Sequence, residues 1–80
     1  MDPFLGEIRL FPYNFEPDGW VRCTSGITLS PNMYAALYYL IGTKFGGDGQ
    51  KTFALPDLSG QAPQGFEYYM SLRGNFPTHS

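Results

Sequence analysis

Few side chains in this sequence could do chemistry: Cys23, His79, and two carboxylates near the glycine-rich stretch, Asp48 and Asp57. Cys23 is the only cysteine and His79 the only histidine. A Cys–His couple or a Ser–His–Asp relay needs its base held within hydrogen-bond reach of the nucleophile. His79 stands one residue from the chain end, where a rigid pocket is hardest to build. Asp48 and Asp57 are separated by a strand-like segment and cannot share one acid–base site. One cysteine and one histidine fall short of a four-ligand zinc centre. A single thiol also excludes an intramolecular disulfide, so Cys23 is expected buried and inert. The residues therefore predict no enzyme, no metal and no cofactor.

The segment "FGGDG" invites a phosphate-loop reading, but it lacks the G-x-x-x-x-G-K-[ST] spacing, and a helix precedes it instead of following it. As a calcium loop it offers Asp48 alone, where several alternating oxygen ligands are needed. Gly46, Gly47, Asp48 and Gly49 are instead expected to form a structural loop, with the glycines at positive φ and Asp48 bonded to its own backbone.

Aromatic residues make up 18% of the chain. Tyr13, Trp20, Phe45 and Tyr69 could stack on a pyranose of a cell-surface glycan. Trp20 follows a tight turn and is better placed in the core. Phe45 and Tyr69 remain as ligand-binding candidates, Tyr69 because the alternation of its strand points it away from the apolar set.

Eighty residues give one small domain. Charged residues are 15% of the chain, below the roughly 25% usual for soluble domains, which favours association. Net charge is −2 with no basic cluster, so no nucleic-acid partner is expected. The opening "MDPFLGEIRLF" has no basic start followed by an apolar run, so no general-secretion signal is expected there. Residues 33–41 are too short for the roughly 20 apolar residues that span a bilayer.

Glycine and proline divide the chain into short elements. "FLGEIRLF" reads as a strand with a bulge at Gly6, ended by Pro12. "EPDGW" is a turn leading into the strand "WVRC". "ITL" adds a short extended piece. Ser30 and Pro31 signal a helix start, and the helix runs to about Ile41, with Gly42 to stop it. "TFALPDLSG" is a short strand broken by Pro56, with a turn at Asp57. "FEYYMSLRG" alternates as a half-buried strand, Phe66, Tyr68, Met70 and Leu72 on its apolar side. Together these predict an α+β fold, a single domain of short strands packed around one central helix.

The order of these pieces resembles the phage tail-collar family, which includes the microcystin-dependent proteins. The matching residues are "FLGEIRLF", "NFEPDGW", Cys23 with Gly26, "AAL" before "IGTKFGGDG", and "TFALPDLSG". The run "GGDGQKTFALPDL" behind a short helix carries most of the specificity. The resemblance implies a non-enzymatic virion or phage-derived protein built into oligomeric fibres, with trimers as the usual symmetry, acting in assembly or host attachment. It implies a virion or extracellular location without a classical signal peptide. Many members continue well beyond the "LPDL" segment with a receptor-facing region.

One departure from the family pattern concerns "MYAALYYLI", residues 33–41. Family helices of this kind resemble "N-x-A-L-F-S-L-L-G-T", with polar residues on one side. Here Tyr34, Ala35 and Tyr39 hold those positions, while Met33, Ala36, Leu37 and Leu40 make an i, i+3, i+4, i+7 core stripe. Both sides of the helix are then apolar, and a small domain has little material to cover both. Tyr34, Ala35, Tyr38 and Tyr39 are accordingly expected at a subunit interface of a homo-oligomer, trimer or filament. The competing reading is that the last strand or the 44–51 loop folds over that face within one chain.

Overall fold

The last strand of the chain is the middle of its main sheet. A computed structural model describes residues 3–77, and in it β1 (Ile8–Phe11), β2 (Trp20–Arg22) and β5 (Glu67–Ser71) form an antiparallel sheet in the order β1-β5-β2. Between β2 and β5 come β3 (Thr28–Leu29), α1 (Ala35–Ile41) and β4 (Phe53–Ala54), with β3 and β4 paired as a separate two-stranded ribbon. This is α+β. His79 lies outside the described residues.

Gly6 sets the start of β1. At φ +80° its N–H donates to Ser71 O at 2.9 Å, and Ser71 N–H donates to Glu7 O at 2.8 Å. Two residues of one strand thus face a single residue of the other, which is the expected bulge. The "EPDGW" turn closes through Trp20 N–H to Pro17 O at 3.0 Å.

The core lies on the sheet face that carries Val21 and Met70. Leu37 of α1, Phe53 of β4, and Leu5, Cys23 and Leu55 from connecting segments complete it. Full burial of side chains of this size contributes about 1.5–3 kcal/mol each, so a few well-placed residues hold a domain this small.

The structure corrects the sequence reading in three places besides Trp20. First, Ser30 does not cap a helix beginning at Pro31. Residues 31–34 form turns, and Tyr34 (φ −123°, ψ 50°) takes the N-cap position with no side-chain cap. The helix runs from Ala35 and ends as expected at Gly42, whose N–H donates to Tyr38 O at 2.7 Å. Second, the core stripe is displaced by one residue. Tyr34, Leu37, Tyr38 and Ile41 face the core, with Leu40 at its margin, while Met33 and Ala36 are exposed. Third, β5 has no wet side. Tyr69 and Ser71 are fully buried, although they alternate with the core residue Met70.

Tyr69 is covered by an arginine–aromatic layer on the back of the sheet. The Phe11 ring lies 5.8 Å from it, and the Arg22 guanidinium sits 5.7 Å from its ring centroid. Trp20 belongs to this layer and not to the main core: it meets Phe11 edge-on at 5.0 Å and carries the Arg9 guanidinium at 5.6 Å. Long arginine stems and rings thus do the work that a second layer of secondary structure does in larger domains.

Candidate assembly surface

Two faces of the domain could meet another molecule, and α1 positions the first. Because Tyr34, Leu37, Tyr38 and Ile41 turn inward, the opposite side of the helix presents Ala35, Ala36 and Tyr39, with Met33 just before it. Tyr39 is 80% exposed and Met33 77%. Among the described residues the one ring contact at Tyr39 is Phe76, at 5.8 Å and 46°, and it leaves most of Tyr39 open. A shallow depression runs from this face past Leu5 and Leu72 to Gly74. Of the four expected interface residues, Ala35 and Tyr39 face outward. Tyr34 and Tyr38 are partly buried against their own core, and Met33 and Ala36 replace them on the surface. The last strand does not fold over this face, because it is the central strand of the sheet.

Tyr38 has a different role. Its hydroxyl donates to Gly49 O at 3.2 Å, and its ring packs against Phe53 at 5.2 Å. It therefore fastens the glycine loop to the helix. Within the loop, Asp48 Oδ1 accepts the backbone N–H groups of Gln50, Lys51 and Thr52 at 2.9, 2.8 and 3.1 Å. These bonds, that from Gln50 first, hold the Asp48 carboxyl below the usual carboxylate range. Gly47 (φ +93°) has Thr52 O and Phe53 Cα 2.6 Å from where a Cβ would stand. Gly46 N–H donates to Thr43 O, and Gly46 O accepts from Ala54 N–H at 3.1 Å. Residues 46–49 thus form a loop closed by backbone bonds and by the Asp48 carboxylate. Asp57 makes its expected turn in the same way, accepting from Ser59 N–H at 3.1 Å.

The ring candidates for ligand stacking separate. Tyr69, at 0% exposure, has no face left to stack on a sugar, and that expectation is withdrawn. Its burial was hidden from the alternation because the covering groups, Phe11, Arg22 and the Tyr13 carbonyl, come from β1, β2 and the segment between them, far away in sequence. Phe45 is 40% exposed, with Lys44 Nζ 5.7 Å from its ring. Missed by the sequence reading is a stack of Phe11, Tyr13 and Phe15, with ring centroids 5.5 and 5.2 Å apart and planes within 17°. The i, i+2 spacing of aromatic residues in "LFPYNFEP" was the available signal.

The second face is the open edge of β1, where Ile8 and Leu10 are 39% and 38% exposed. β5 offers no edge, since β1 and β2 flank it.

Among the described residues no three His, Cys, Asp or Glu side chains are grouped to hold a metal, and no helix is long and apolar enough to cross a membrane. Cys23 is buried, which pushes its thiol up to about 11.

A strand–turn–strand entry with a glycine bulge, a short helix, and a helix-anchored "FGGDG" loop leading into "LPDL" make up this small α+β domain. The phage tail collar domain model matches residues 6–63, well over half of the chain, and the chain belongs to that family. No curated protein and no solved structure matches it.

Proposed function

We propose that the protein is a self-associating tail-collar component, a homo-oligomer or filament in which the outer face of α1 is a subunit contact, and that it acts without catalysis at the virion or cell exterior. The observation that carries this reading is the outer helix face itself: Tyr39 and Met33, two large side chains, are each more than three-quarters exposed beside Ala35 and Ala36. Contiguous exposed apolar patches on small proteins usually mark interaction sites. A chain with 15% charged residues has little else to keep such a patch from meeting its like. Family membership supports a structural role in a phage tail. Whether the contact closes into a ring or trimer or runs on as a fibre depends on its symmetry.

Negative-stain microscopy together with light scattering over a concentration series tests this. Rings, trimers or filaments are the expected outcome, and a monodisperse 9.0 kDa species at every concentration contradicts the proposal.

A second reading, attachment through a cell-surface glycan, keeps one structural support: the exposed rings of Phe45, Tyr13 and Phe15. It requires glycan-array binding that is lost on Phe45→Ala or Phe15→Ala with assembly unchanged. Nucleic acid and bilayer insertion have no place in either reading.

A further inference from the structure

We infer that the open edge of β1 is a second self-contact, pairing antiparallel with β1 of another copy about a two-fold axis centred on Ile8. This rests on the self-association reading and adds to it a specific register. Three observations carry it. β1 lies at the edge of its sheet, so one side of its backbone has no strand partner among the described residues. Glu7 O accepts from Ser71 N–H, toward β5. Directions alternate along an antiparallel strand, so the N–H and C=O groups of Ile8 and Leu10 point to the open edge.

Backbone bonding alone would allow three two-fold registers. Centring on Leu10 leaves Glu7 beyond the paired region. Centring between Ile8 and Leu10 sets Arg9 directly opposite Arg9, and like charges so placed are unfavourable. Centring on Ile8 puts Glu7 of each copy opposite Arg9 of the other, twice, with Ile8 against Ile8 on the opposite face. Glu7 and Arg9 already form an ion pair on one side of the strand. The two-fold extends that pair to four alternating charges. Charged residues on an edge strand ordinarily discourage pairing; here their order makes the edge complementary to itself. A two-fold contact at β1 and a separate contact at α1 would together link copies into an open chain.

Amide hydrogen exchange on the intact protein tests this, because the outward amide of Ile8 has no acceptor in one copy among the described residues. The expected result is that Ile8, which the two-fold bonds to its own counterpart, exchanges fast when dilute and slow as concentration rises. Arg9→Glu and Glu7→Arg each abolish that protection, and mixing the two variants restores it, since each then offers the opposite charge. Neither variant alone can form an internal pair, so recovery on mixing reports contact between copies. If the protein assembles while Ile8 exchanges as fast as in dilute solution, the β1 pairing is overturned and the helix contact stands. If it stays monomeric throughout, both fall. Should a variant unfold by circular dichroism, the concentration dependence of the unmodified protein still decides.

Discussion

The hydroxyl of Tyr69 donates a 2.7 Å hydrogen bond to the carbonyl oxygen of Tyr13, 56 residues earlier in the chain, and accepts a longer one of 3.3 Å from Arg22 Nη2. Arg22 Nη2 also donates to Asn14 O at 2.8 Å. The middle of the sheet is thereby tied to the loop that covers its back, and a buried phenol finds both partners it needs. Removing the hydroxyl leaves the Tyr13 carbonyl and part of the Arg22 guanidinium without that partner. Tyr69→Phe should cost about 1–2 kcal/mol of stability. Tyr69→Ala should cost about 3–5 kcal/mol, by analogy with other large-to-small aromatic losses. Urea unfolding followed by far-UV circular dichroism measures both; equal stability of the phenylalanine variant would mean that the hydroxyl contributes nothing.

The carboxylate of Asp48 gives a pH dependence whose sign is fixed by its shift. Its pKa in the folded loop lies below the unfolded value of about 3.9. Its contribution to loop order is therefore present above the unfolded value and lost as pH falls through the folded one. The amides of Gln50, Lys51 and Thr52 should lose protection in that acid window before the sheet opens. Asp48→Ala should bring the same loss at neutral pH, read by hydrogen exchange at single residues. Unchanged protection in that variant would show that the glycine geometry alone orders the loop.

Cys23 should be slow to react. Burial raises its thiol pKa to about 11, so the folded state disfavours the thiolate. Below the unfolded value the stabilising effect is fully present, and it is lost as pH rises from the unfolded toward the folded pKa. Labelling by a disulfide reagent at neutral pH should proceed only as fast as the protein opens. A native-state rate equal to that in urea would place the thiol at the surface.

Much of this architecture was legible in the residues. Gly6 marked its bulge, Pro12 ended β1 at Phe11, Gly42 stopped the helix, and Asp48 bonded its own loop, because each is a local rule about φ or a short-range hydrogen bond. What failed was non-local. The alternation of β5 gave the right period but not its burial, since the cover over Tyr69 arrives from Phe11, Tyr13 and Arg22. The phase of the helix failed for a related reason. Met33 lies before the first helical residue, and the true stripe begins at Tyr34, so a pattern counted from Met33 is one residue out. Half of the expected interface moved inward with it.

Tyr39 bears on the central claim most directly. Sedimentation-equilibrium masses of the unmodified protein and of Tyr39→Ser, taken over one concentration series, should diverge. The unmodified protein should exceed the 9.0 kDa monomer increasingly as concentration rises. The serine variant should remain close to the monomer, with unfolding within about 0.5 kcal/mol of the original because so exposed a side chain contributes little to the fold. Identical mass curves for the two proteins would contradict the assignment of the helix face as a contact between copies.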